Sequence, residues 1–150
     1  MRSKLVIVLA AATVLLGVGA QAASASVPAA QLNRFKAIEG PFGAADSKWT
    51  NALSSLNQNS PVAKLSKPSL AFVPAIKTFD SALAKIGFSG AGASDVATIV
   101  KLNNQLVGIL SNIHSVKSFE SQFGPLGQKY FAVQQSFAKY LGIPAADVII

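Results

Sequence analysis

Cysteine is absent from all 150 residues, which removes disulfide frameworks, thiolate nucleophiles, iron–sulfur clusters and thiolate zinc sites. Histidine occurs once, at His114, so a cage of imidazoles is excluded, as is catalysis that needs two of them. Carboxylates number six, at Glu39, Asp46, Asp80, Asp95, Glu120 and Asp147. They form no cluster in the sequence and offer little material for acid–base chemistry. No glycine-rich phosphate loop, metal-ligand spacing or nucleophile elbow occurs. The chain is therefore expected not to be an enzyme and to need no cofactor. Charge is also scarce, at 13% of residues against 51% apolar, which excludes a chain kept disordered by its own charge.

What is present begins with a leader. Arg2 and Lys4 form a short basic region, and Leu5 to Leu16 is apolar or small except for Thr13. Ala20-Gln21-Ala22 and Ala23-Ser24-Ala25 both satisfy the small-x-small rule, so residues 1–25 are expected to be a secretory signal peptide cleaved between Ala25 and Ser26. An uncleaved anchor is the competing reading. A spanning helix wants about 20 apolar residues, whereas Gly17, Gly19 and Gln21 close this run early. The expected location is secreted or extracytoplasmic, with residues 26–150 forming one domain. Loss of Arg2 and Lys4 leaves 11 basic and six acidic residues, a formal charge of +5. The lysines are spread along the chain without an aromatic stripe between them, so no nucleic-acid partner is expected.

Beyond Pro28 the apolar spacing is helical. Phe35, Ile38, Phe42, Ala45, Trp49, Ala52 and Leu56 step by three and four, which predicts a first helix from near Pro28 to the polar stretch Asn57 to Pro61. Residues 57–68, with two prolines, read as a connection. A second helix carries Phe72, Ile76, Phe79, Leu83 and Ile86, with Pro74 at a kink or first turn, and ends at a Gly87 cap with Phe88 folding back. Ser89 to Ala93 reads as a flexible turn, after which Ser94 or Asp95 caps a third helix through Val96, Ile99, Val100, Leu106, Val107, Leu110 and Ile113. A fourth starts near Ser115 to Ser118, carries Phe119, Phe123, Leu126, Tyr130, Val133, Phe137 and Tyr140, and stops at Gly142 and Pro144. The apolar tail Val148-Ile149-Ile150 is expected to fold back onto the rest. The expected architecture is all-α, an antiparallel up-down-up-down four-helix bundle. About 125 mature residues can bury roughly two-thirds of their unfolded surface, enough for a core.

Gly40-Pro41-Phe42-Gly43 and Gly124-Pro125-Leu126-Gly127 repeat one pattern inside the first and last helices. An internal proline deletes a hydrogen bond at a cost of about 3 kcal/mol, so each is read as a Gly-Pro break, a kink or a helix restart, with a restart, one short helix ending and another starting, preferred. In the alternative reading the paired breaks open a cleft onto the apolar interior, with Asn103 as a polar contact. Asn103 itself is expected at the margin of its stripe, reaching water. The aromatic-rich interior is expected to pack, although it could leave a lipid-sized cavity. His114 reads as a surface residue near a helix end; one axial haem ligand, with Tyr130 or Tyr140, is the remote alternative. Ser136-Phe137-Ala138-Lys139 resembles the Ser-x-x-Lys of penicillin-interacting enzymes, but lacks their other motifs and reads as ordinary helix neighbours.

Function is expected to be binding or interaction at the cell envelope or in the medium, with an apolar small molecule or an envelope protein's helix as partner. The alternative is weak association with anionic membrane or cell-wall polymer through diffuse positive charge and the apolar tail.

Overall fold

The computed structural model describes residues 27–150; the expected leader, and the Ala25–Ser26 cleavage point, lie outside them. Four helices follow in order: α1 Ala29–Leu53, α2 Val62–Ala84, α3 Gly90–Ser111 and α4 Val116–Leu141, with a short 3-10 turn, Ala145–Asp147, in the tail. Among the described residues there is no strand, and no helix is long and apolar enough to cross a membrane. Helix packs on consecutive helix, α1 on α2, α2 on α3 and α3 on α4. The direction of each pair follows from its contacts. Trp49 stacks on Phe72 and Phe42 on Phe79, while Gly92 faces Tyr140 as Asp95 meets Ser136. Numbers rise on one helix as they fall on its neighbour, which makes the four-helix bundle antiparallel throughout.

The three-four spacing selects the core as expected. Phe35, Phe42 and Trp49 from α1, Phe72, Ile76, Phe79 and Leu83 from α2, Ile99, Leu106 and Leu110 from α3, and Phe119, Leu126, Val133 and Phe137 from α4 are all buried. Burying a large side chain of this kind stabilises by about 1.5–3 kcal/mol, so the sum over four faces outweighs poor local propensity at the prolines. The helix ends obey local rules. Ser115 and Ser118 cap α4 reciprocally, at 3.0 and 3.2 Å, and Gly142, at φ 72°, supplies the left-handed residue that closes it.

Three boundaries differ from the sequence reading. The α2 helix starts at Val62, with Pro68 and Pro74 both inside it, because Leu65 is fully buried and anchors the additional turn. The α3 helix starts at Gly90, not after Ser94. Its small first residues allow close approach to α4: a Cβ on Gly92 would stand 2.2 Å from the Tyr140 ring. The Gly-Pro sites are not restarts either, since α1 runs through Pro41 and α4 through Pro125. One exposure pattern explains all four internal prolines. The residues four positions earlier, Ala37, Lys64, Leu70 and Ser121, are exposed, so water can take the place of each missing donor.

Gly92→Ala forces the Tyr140 ring aside and separates α3 from α4. We expect a loss of about 1–3 kcal/mol, the cost of overpacking, against the small gain that alanine brings elsewhere in a helix. Chemical denaturation would check this, with Gly108→Ala as control, because a Cβ there meets nothing within 4 Å.

Candidate functional site

The ring of helices does not close evenly. At the seam between α1 and α4 the contacts are made by aromatic side chains near the two ends, Phe35 on Phe137 at 5.3 Å and Trp49 on Phe119 and Phe123 at 6.5 and 5.9 Å. Between these points the tail crosses the seam. Val148 is fully buried there, its carbonyl accepts from the Gln134 amide, and the Ile149 N–H donates to Glu39 Oε1 at 2.6 Å. Gly43 makes the crossing possible, because a Cβ there would stand 2.7 Å from Ile149 Cδ1. The apolar tail thus lies on the bundle, as the sequence suggests.

Below the tail the seam opens into a cavity of about 330 Å³. Phe42, Asp46 and Trp49 supply one wall from α1, and Phe123, Gly127, Tyr130, Phe131 and Gln134 the other from α4. Phe72, Asn103 and Leu106 reach it from α2 and α3, and Ala146 and Val148 to Ile150 close the tail side. Positions 42, 46 and 49 fall on one face because they are four and three apart on a helix. Phe131 and Ile149, two of the large apolar side chains left exposed, belong to this lining. A second hollow of about 430 Å³ between α3 and α4, rimmed by Asp95, Lys101 and Lys129, is more open.

The polar groups at the cavity are mostly committed to one another. Asn103 is 1% exposed, contrary to the margin position expected for it. Its amide donates to Asp80 Oδ1 at 2.6 Å, and its carbonyl oxygen accepts from the Tyr130 hydroxyl. This chain ties α2, α3 and α4 together at mid-height, and burial of such groups demands that each find a partner. Burial pushes the Asp80 carboxyl up to about 6, against the opposing effect of the Asn103 hydrogen bond. Burial, with the Asp80 charge second, also pushes the Tyr130 hydroxyl up. Trp49 Nε1 donates to the buried Ser69 Oγ at 3.1 Å, and Ser69 is a core position that its polarity concealed in the sequence.

Asp46 differs from these. Desolvation alone raises its carboxyl to about 6, and among the described residues no hydrogen-bond donor or cation offsets that burial. Glu39, beside the tail, is also raised, first by desolvation and less by Asp147, while the Ile149 N–H and Lys36 act in the opposite direction.

Of the nine residues singled out in the sequence, Phe42, Gly127 and Asn103 line the cavity. Gly43 touches its tail wall instead, and Leu126 is core. Gly40, Pro41, Gly124 and Pro125 are exposed on the outer surface. The first tetrapeptide therefore contributes Phe42 to the wall and Gly43 to the tail crossing, and the second contributes Gly127; neither contributes through its proline. Asp46 and Gln134 were passed over, although Asp46 sits between Phe42 and Trp49 on the apolar face of α1. His114 is exposed in the α3–α4 connection, whereas Tyr130 serves Asn103 and Tyr140 stacks on Phe137. Ser136 donates to Asp95 at 3.0 Å on the surface. Among the described residues no group of three metal-ligating side chains occurs. No protein-family model, curated protein or solved structure matches this chain.

Proposed function

We propose that the protein is an exported, non-enzymatic binding module that takes an apolar small molecule between α1 and α4. The observation that carries this reading is the cavity itself: about 330 Å³, walled by six aromatic side chains and Leu106, with a few convergent polar groups. That is the size and chemistry of the smaller ligand pockets. The tail covers part of the seam, which suits an enclosed small molecule better than a docked helix. Export rests on the leader-like residues 1–25. The non-enzymatic part rests on the scarcity of acid–base groups: Asp46 and Tyr130 are the ionisable side chains at the cavity, and the Tyr130 hydroxyl is occupied by Asn103.

Trp49 is the single tryptophan and lies in the cavity wall, so it reports on occupancy. Titration with N-phenyl-1-naphthylamine, an apolar fluorophore, should quench Trp49 saturably and brighten the probe. Absence of saturable quenching would overturn the reading.

A second reading is supported by the lysines, all ten of which are exposed. They suit loose association with anionic surfaces, which salt screens beyond about 10 Å at 0.1 M. Co-sedimentation with anionic vesicles only at low salt would favour it.

A further inference from the structure

We propose that the cavity selects a cationic ligand, an amine on an apolar skeleton, with Asp46 as the counter-ion and the aromatic side chains of Phe42 and Trp49 beside it in the wall. This rests on the cavity reading above and adds the ligand's charge. The argument is one of elimination among the polar groups of the wall. Tyr130 and Asn103 satisfy each other, Asn103 also holds Asp80, Gln134 is given to the Val148 carbonyl, and the Trp49 N–H goes to Ser69. Each of these wall groups has at least one partner within the chain, and none of them is charged. The Asp46 carboxylate lines the same space with no such partner, and no lysine, arginine or histidine lines it either.

Asp46 is half-buried, and neither of its carboxylate oxygens is both buried and unpartnered; a ligand that enters the cavity displaces the water this carboxylate meets, which is unfavourable unless the ligand supplies the partner. The neighbouring groups specify that partner. Aromatic faces carry negative charge density and attract ammonium groups, and Phe42 and Trp49 stand one turn on either side of Asp46 along α1. A carboxylate beside two aromatic side chains repels an ionised acid, accepts one hydrogen bond from an alcohol and attracts an ammonium group most strongly. The ligand's hydrocarbon would then lie against Phe72, Leu106 and Phe123.

The protein's overall charge makes the test discriminating. At +5 without the leader, its long-range field draws anions and repels amines, so preference for an amine cannot come from that field. Isothermal titration at pH 7.5 and moderate salt would compare decylamine, decan-1-ol and decanoate, which share one chain and differ in head-group charge. The expected order is decylamine tightest, by about tenfold or more over decan-1-ol, with decanoate weakest. Asp46→Asn should bring decylamine down to about the level of decan-1-ol, while decan-1-ol, which an amide oxygen can also accept from, changes far less. The variant is neutral, nearly isosteric and relieved of a desolvated charge, so it should fold at least as stably as wild type. Equal binding of amine and alcohol by wild type, or a preference that survives in Asp46→Asn, would overturn the cationic assignment and leave the apolar cavity standing. Failure of all three to bind would remove both.

Discussion

Asn103→Ala should cost about 3 kcal/mol at pH 7.5, one of the largest single effects expected outside the aromatic core. Asn103 is buried and serves two partners at once, so its truncation strips the Asp80 carboxylate of a donor and the Tyr130 hydroxyl of its acceptor. Each group left unpaired costs about 1–3 kcal/mol, more where it is charged. The pH dependence has a definite sign. Asp80 and Asp46 both titrate near 6 in the folded chain, above the ordinary carboxylate value near 3.9, so the folded state holds the extra protons. The stability they contribute is complete below about pH 4 and is lost as pH rises through about 6. Discounted for partial exposure, each contributes about 1 kcal/mol. About half of that falls between pH 5 and pH 7.5, so wild type should melt roughly 3–6 °C higher at pH 5 than at pH 7.5. In Asn103→Ala the carboxyl of Asp80 loses a hydrogen bond that favoured ionisation, so the slope should steepen. In Asp80→Asn the slope should flatten. Calorimetric melts of the three proteins at both pH values check this, and a wild type equally stable at the two would contradict it.

Gly127→Leu should abolish ligand uptake and raise stability together. A Cβ at Gly127 meets nothing within 4 Å, and the residue lines the cavity, so a leucine there would extend from the α4 wall into the open space. Filling a void with apolar atoms and replacing a mid-helix glycine both stabilise, the latter by about 0.5–1 kcal/mol. Binding of N-phenyl-1-naphthylamine should fall below detection. Gly124→Leu is the control: it removes the same type of helical glycine from an exposed position outside the cavity, and it should leave binding intact. This pairing of a firmer fold with lost binding is the exchange expected where open space serves a site. Unchanged affinity in Gly127→Leu would place any bound probe elsewhere on the molecule.

Helix count, core face and most helix ends were legible because each is set by neighbours within a turn or two. The alternation of threes and fours picked out Phe35, Phe42, Trp49, Phe79 and Phe137 as core, and Gly87 and Gly142 marked their caps through the left-handed backbone that glycine accepts. The errors share one cause. Pro68 argued against helix across 62–68, and Gly90 and Gly92 against helix before Ser94, yet tertiary contacts at Leu65 and Tyr140 overrode both local preferences. Pro41 and Pro125 looked like breaks because the direction they face, toward water, depends on the packed bundle. The site was only half legible. Gly127 and Asn103 drew notice as oddities within apolar patterns. Asp46 was counted as one of six scattered acids, although its position on the Phe42–Trp49 face was present in the spacing. A cleft or lipid-sized cavity stood among the sequence's alternatives, but its place and lining were not legible, since they depend on how α1, α4 and the tail pack.

The central claim is that the space between α1 and α4 is a ligand site. Crystallisation of the mature protein with saturating decan-1-ol tests it most directly, because the alcohol asks only for an apolar cavity and not for the charge of Asp46. The account predicts continuous density for the alcohol's chain between Phe42, Trp49 and Phe123, passing beside Gly127 under Val148. Density confined to the outer surface, or a cavity that stays free of the alcohol at saturation, would contradict it.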